Sequence, residues 1–475
     1  MKFTLLASAF VLAEVALAAS TNFVTLPVAK VRNPKAELNA RALTKRYLAK
    51  RAMGTSALTN SANDVLYTVP LAIGTPPQTF HLAIDTGSPV TWVSSNTCIG
   101  EGCAGVHTYN CQASSTCRII QGQTFTAKYV SGQSVVGSYT QEMMDLASLR
   151  FPAIIGVVTQ NSARLTAGVD GIMGLWYYGK NAAVPFLDRM KNATILTEQV
   201  MGVYLRPSDH TPQALAPGQG GEVTFGGLNP ARYTGEITYI NNVGPSSWTI
   251  PVSGLSVNGQ QIPLTNVTAT IDTGTTAFLV PPAISNAVNG AIPGAAQLTG
   301  ADDSWLLPCT GSSKITLTFG TFSADIPYAD LVLEATAQQT SRGPYCYSTV
   351  MHPTGATATI DQWLIGDTFI KNVFSVYDFS NTAPLGRIGF AKLAEADPRN
   401  KNNPGSGGNG GIDAGGGNGG NGGGSGSGGT GGTGGGGGRN NGGGIFTPNT
   451  AAARGNSGDL WWMVFISLAC ALTTF

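Results

Sequence analysis

The tripeptide Asp-Thr-Gly occurs twice in near-identical settings, in AIDTGSPVTWV at 83–93 and in TIDTGTTAFLV at 270–280. Each copy follows an apolar, strand-like residue, Ile84 or Ile271, and its glycine lets the chain turn at the strand end. A carboxylate placed there is costly unless it is heavily hydrogen-bonded. A single copy reads equally well as a turn aspartate capping its own backbone. Two copies with matching flanks, 187 positions apart, imply an internal duplication. If the halves pack about a two-fold axis, the two loops meet and Asp85 faces Asp272. A second pair of segments supports this, DGIMGLW at 170–176 and WLIGDTFI at 363–370. Their glycines, Gly174 and Gly366, fall 89 and 94 positions after the respective aspartates.

The texture between these landmarks is β-rich. VLYTVPLAIG (65–74), FHLAIDTG (80–87), QTFTAKYV (123–130), KITLTFG (314–320) and FSVYDF (374–379) are short runs of branched and aromatic residues punctuated by Gly, Pro, Asn and Ser. PAISNAVNGAI (282–292) reads as a short helix. The fold class is mainly β. Four scattered histidines, His81, His107, His210 and His352, with no HExxH or GxSxG around them, argue against a metal or serine hydrolase. Residues 52–397 carry fourteen basic and twenty-two acidic side chains, a net of −8, with no basic cluster for nucleic acid.

With these motifs the chain resembles the pepsin-like aspartic endopeptidases of the secreted fungal type, across nearly all of 65–393. The resemblance implies a bilobal fold of two β-barrel-like lobes with the cleft between them, an N-terminal lobe at 52–236 and a C-terminal lobe at 237–397. It implies that Asp85 and Asp272 are the catalytic pair, that Thr86 and Thr273 clasp across the axis, and that Gly87 and Gly274 complete the loops. Ser88 and Thr275 match the hydroxyls that bond the outer carboxylate oxygens. TFTAKYVSGQSVVGSY (124–139) resembles the flap hairpin, placing Tyr129 over the cleft with its hydroxyl bonded to the indole of Trp92. The flap departs from the family's Tyr-Gly pattern, reading Tyr129-Val130, with Gly132 left to supply the turn. In such enzymes a close pair of carboxylates shares one proton. The ionised member activates a water and the protonated member polarises the peptide carbonyl, so neither a metal nor a cofactor is needed. In related enzymes, preference for basic residues goes with an acid two positions after the flap tyrosine. That position is Ser131 here, so a broad, mainly hydrophobic specificity for polypeptide substrates is expected. The rival reading is a non-catalytic cell-wall or adhesion protein on a protease fold, which should have lost one of these aspartates or hydroxyls.

The ends are read as processing and attachment segments. Residues 1–18 have Lys2, a short apolar core and Ala16-Leu17-Ala18, the pattern of a secretory signal. Residues 19–51 hold eight basic residues against the single acid Glu37 and end in Lys50-Arg51. They are expected to be a prosegment that inhibits the acidic body and is cut after Arg51; a basic surface helix is the alternative. Residues 398–448 are mostly Gly, Asn and Ser, a tether reaching roughly 40 Å as a random coil. Residues 449–475 end in a 16-residue apolar run, which fits a glycosylphosphatidylinositol (GPI) attachment signal better than a spanning helix. Of Asn449, Ala451, Gly455 and Asn456, Asn449 is the preferred attachment site. The layout is that of the yapsins, and it implies a zymogen and glycoprotein held at the cell surface as a monomer by its membrane anchor. Of seven cysteines, Cys470 lies in this tail and six remain to pair. Cys98–Cys103 with Cys111–Cys117 is preferred, the nested 98–117 with 103–111 is the alternative, and Cys309–Cys346 closes a later loop. Spacings without a CxxC pair disfavour a metal. Asn192 and Asn266 lie in glycosylation sequons.

Overall fold

The structure is a computed structural model. It describes residues 52–61, 63–129, 132–166, 168–177, 185–209, 216–245, 247–298, 304–352, 362–380 and 382–394. The expected signal (1–18), prosegment (19–51, with Arg51), tether (398–448) and attachment signal (449–475, with Asn449) lie outside the described residues, as does Ser131. Among the described residues, no helix is long and apolar enough to cross a membrane.

The protein is mainly β and two-lobed. One 13-stranded sheet runs through the first half and its base, and three smaller sheets of five, four and four strands build the second half. The expected strands form at 66–73, 78–85, 118–128, 315–319 and 374–378, and the expected helix at Pro282–Gly290. The alternation of buried and half-exposed positions along Ser134–Leu146 marks a strand with one face on the core. It pairs over its whole length with Leu149–Asn161, a long hairpin that the sequence reading did not single out. Cys98 is bonded to Cys103, Cys111 to Cys117 and Cys309 to Cys346, the adjacent arrangement of the two weighed.

Two interlocked strand triplets position the repeated aspartates. Gln78–Asp85 lies parallel to Gly171–Gly174, with Asp85 opposite Gly174, and that short strand also pairs antiparallel with Trp92–Ile99. The second half repeats the pattern: Thr268–Ile271 lies parallel to Trp363–Ile365, which pairs antiparallel with Phe278–Leu279. The strand between the arms of each loop must therefore pass close behind it. A Cβ on Gly174 would come within 2.7 Å of the Val90 backbone, and one on Gly366 within 1.9 Å of the Thr275 carbonyl oxygen. Glycine is required at both positions by close backbone approach.

The halves are joined by a shared sheet and a buried ion cluster. Phe374–Asp378, from the second half, pairs with Val200–Leu205, from the first. Below the site, Lys371 Nζ lies 3.0 Å from Asp64 Oδ2 and 2.7 Å from Asp330 Oδ1, and all three side chains are buried. Asp64 follows the strand Gly54–Ser61 in a turn where Asn63 and Asp64 both adopt positive φ, a conformation short amide and acid side chains tolerate. Burial alone would raise its pKa, but the Lys371 charge, with hydrogen bonds from Asn60, Lys371 and the Ser208 amide, outweighs burial and holds it at about 2.

Removing one member of a buried ion cluster strands the others, so Lys371→Ala should cost about 3–5 kcal/mol in urea denaturation at about pH 6. Asp64 has a depressed folded pKa. Its contribution is present above the unfolded carboxyl value of about 4 and is lost as the pH falls toward about 2, where the gap between parent and variant should narrow. A loss under about 1 kcal/mol at pH 6, the range of an exposed pair, would contradict this role.

Candidate active site

The two Asp-Thr-Gly loops meet at the junction of the halves, and every side chain in them is buried. The threonines make a reciprocal clasp. Thr86 N donates to Thr273 Oγ1 (3.1 Å) and Thr273 N donates to Thr86 Oγ1 (3.0 Å). Each hydroxyl then donates to the carbonyl preceding the opposite aspartate, Thr86 Oγ1 to Ile271 O (2.8 Å) and Thr273 Oγ1 to Ile84 O (3.0 Å). All four polar groups of the clasp are thereby satisfied without water, as buried groups require.

The clasp brings the carboxyl groups together. Gly87 N donates to Asp85 Oδ1 and Gly274 N to Asp272 Oδ1, both at 2.9 Å. A Cβ on Gly87 would sit 2.5 Å from the Asp272 carboxylate, and one on Gly274 would sit 2.6 Å from that of Asp85. Each glycine is thus the floor under the opposite acid. From behind, Trp176 N donates to Ser88 O (3.1 Å) and Asp367 N to Thr275 O (2.7 Å).

The pair is not symmetric. Thr275 Oγ1 donates to Asp272 Oδ2 at 2.7 Å. Ser88 lies beside Asp85 and works to lower its pKa, while Asp85 Oδ2 and Ser88 Oγ are both buried without a well-aligned hydrogen-bond partner. Burial first, then the Asp272 charge within hydrogen-bond reach, push the Asp85 carboxyl well above the ordinary range, against lowering contributions from Ser88 and the Gly87 amide.

A hairpin of Arg118–Lys128 and Ser134–Leu146 carries Tyr129 at its end. At its end Tyr129 N donates to Gln133 O (2.9 Å) and Gly132 N to Tyr129 O (2.8 Å), with Gly132 at a φ of 83°. Gly132 makes this turn despite the Val130 that replaces the family's glycine. Trp92 Nε1 donates to the Tyr129 hydroxyl at 2.8 Å, and both rings are buried in one apolar cluster with Val90, Phe125 and Ile154. Burial, then the Asp85 charge, raise the Tyr129 phenol, so it remains a neutral group.

Asn192 and Asn266, by contrast, are exposed on the outer surface. Among the described residues, no group of three or more His, Cys, Asp or Glu side chains could hold a metal ion. Sequence reasoning missed the buried residues around the pair. Asp367 was inside a quoted segment, and its signal is a lone acid in the otherwise apolar WLIGDTFI. Tyr377, fully buried next to Thr86 and Ser375, and Lys371 carried no pattern of their own.

A two-lobed β protein that sets one buried carboxyl from each half side by side has the architecture of an aspartic peptidase. The family model described as eukaryotic aspartyl protease matches residues 66–393. The chain is 32% identical over 377 residues to Major aspartyl peptidase 1 of Cryptococcus neoformans, covering 76% of this chain and 75% of the relative. It is 32% identical over 345 residues to the aspartic-type endopeptidase ctsD of Aspergillus fumigatus (71% and 68%), and 31% identical to gastricsin of Macaca fuscata fuscata (70% and 85%). The chain belongs to the eukaryotic aspartyl protease family and is an aspartic-type endopeptidase.

The floor glycines give a direct test. Neither has a positive φ, so alanine is permitted by the backbone and the nearest clash is with the opposite aspartate. Gly87→Ala should lower kcat by about 100-fold or more through displacement of Asp272, with little change in melting temperature. Activity within a few-fold of the parent enzyme would mean that the two carboxyls do not need this spacing.

Proposed function

We propose that the chain hydrolyses internal peptide bonds at acidic pH through Asp85 and Asp272 acting on one water, with a broad, mainly hydrophobic specificity. The observation that carries this reading is the reciprocal clasp, which holds two buried acids within hydrogen-bond reach. Two such carboxyls do not both ionise readily, and the pair retains one proton. The asymmetry supports Asp85 as its holder, since Asp272 has both a hydroxyl and an amide to stabilise a charge. Asp272 then draws a proton from the water, Asp85 hydrogen-bonds the scissile carbonyl, and the water oxygen bonds to the carbonyl carbon. As that bond forms, Asp85 passes its proton to the carbonyl oxygen to give a diol. Asp272 then gives the water's proton to the amide nitrogen, the C–N bond breaks, and a diol hydroxyl returns a proton to Asp85. Tyr129, on the hairpin above, would close the cleft over the substrate and exclude water.

The rest of the biology is proposed on the sequence. Residues 19–51 inhibit the acidic body until it is cut after Arg51, and the −8 charge of residues 52–397 supports that attraction. Asn192 and Asn266 are exposed and fit glycan attachment. The Gly-rich stretch and the apolar C-terminal run fit a monomer tethered through Asn449 to the outer face of the plasma membrane or its wall. Lobe boundaries at 52–236 and 237–397 follow the repeat.

The experiment is digestion of an unfolded protein between about pH 3 and pH 7, with and without pepstatin, followed by sequencing of the new termini. Acid-dependent, pepstatin-blocked cleavage between apolar residues is expected. Strict cleavage after Lys or Arg would overturn the specificity, and pepstatin-insensitive cleavage the mechanism.

A further inference from the structure

Asp367 is a buried carboxyl that neither the ion pairs of the fold nor the proposed reaction employs. It is wholly inaccessible, and neither of its oxygens has a hydrogen-bond partner. By contrast, Asp64 and Asp330 share Lys371, Asp378 pairs with Arg387 at 2.6 Å, and Glu142 accepts from Tyr109 and Ser114. Asp367 opens the short helix Asp367–Ile370, where its amide bonds Thr275 O, and Thr275 Oγ1 in turn bonds Asp272. It stands directly behind the second catalytic loop.

The charges facing it are predominantly acidic. Asp272 and Asp85 act on it from the two loops, and Asp64 from the N-terminal turn. The cation acting on it is Lys371, one helical turn later, and that ammonium is already held by Asp64 and Asp330. Two neighbouring phenols complete the surroundings, Tyr377 on the strand Phe374–Asp378 and Tyr67 beside Asp64, and burial raises both. Asp64 and Asp330 take up the Lys371 ammonium, and the buried Asp367 feels that charge without pairing with it. An ionised, unpartnered carboxylate there would bear its full desolvation cost, and taking up a proton relieves it.

We propose that Asp367 is kept as a neutral carboxylic acid behind the catalytic pair, as a positioning residue for the Thr275–Asp272 loop. Its ionisation as the pH rises loosens this junction, so that the enzyme carries its own limit toward neutral pH. Burial is the main cause that pushes its carboxyl well above the ordinary range, with Asp272, Asp64 and Asp85 adding to it and Lys371 opposing. The sign follows from linkage. The unfolded chain gives up this proton near pH 4 while the folded chain keeps it, so stability falls as the pH climbs above about 4. Within that window each pH unit multiplies the unfolding equilibrium constant by about ten.

The test compares the full chain with Asp367→Asn, which supplies a neutral polar side chain of the same shape. Unfolding is followed by tryptophan fluorescence in urea from about pH 4 to about pH 7.5. The expected result is that the two differ least near pH 4 and that the variant grows relatively more stable by about tenfold in the unfolding constant per pH unit. Residual peptidase activity after incubation at about pH 7 should rise in parallel. A difference independent of pH, or a parent chain more stable than the variant at neutral pH, overturns the proposal. Should Asp367→Asn fail to fold, the infrared spectrum of Asp85→Asn at about pH 6 decides instead. A persisting carboxylic-acid carbonyl band, with the other candidate holder removed, supports a protonated Asp367, and its absence overturns the assignment. The unfolding measurement needs no activity and activity rests on the peptidase reading, so failure of the one is separable from failure of the other.

Discussion

The rest of the site depends on four hydrogen bonds made by two threonines, two between them and two to the carbonyls of Ile271 and Ile84. Thr86 and Thr273 each donate and accept across the junction, and they do so at the position next to a catalytic-type carboxyl. That arrangement converts a packing contact between halves into a fixed distance between acids. It also explains why the neighbouring residues are glycines, since any side chain there would occupy the space of the opposite carboxylate. The psi-shaped crossing of strands behind each loop then fixes its direction, with Gly174 and Gly366 allowing the backbones to touch.

Behind the clasp, the molecule holds more buried charge than the reaction uses. Lys371 binds Asp64 of the first half and Asp330 of the second, so one ammonium ties the N-terminal hairpin to the base of the second lobe. Asp85 and Asp367, neither of which is ion-paired, are both raised by burial. Acids of these two kinds oppose each other in their pH dependence: Asp64 favours the fold away from strong acid, and Asp367 favours it away from neutrality. Asp85 and Asp272 are buried in the same region of low dielectric, where their charges are felt by Asp367.

Much of this was legible in the sequence because the chemistry leaves little freedom. The aspartates, their glycines, the clasping threonines and Thr275 act within three residues of each other, so their pattern survives as a motif. The flap could be read from Tyr129 and Trp92, whose bond at 2.8 Å depends on two aromatic residues of fixed type. The ion cluster was illegible because Asp64, Asp330 and Lys371 are brought together only by the tertiary fold. Asp367 was visible but ambiguous: an acid opening a helix is ordinarily explained by the helix amides, and only its burial without a partner distinguishes it.

The central claim is that one carboxyl from each half is needed and that the two share a single proton. Its most direct test is the pH dependence of kcat/KM for one peptide substrate, measured on the enzyme, on Asp85→Asn and on Asp272→Asn. The account predicts a bell for the enzyme, with two apparent pKa values that belong to the pair, and loss of turnover at every pH in both variants. A single-limbed profile, or a variant that keeps turnover at some pH, would contradict it.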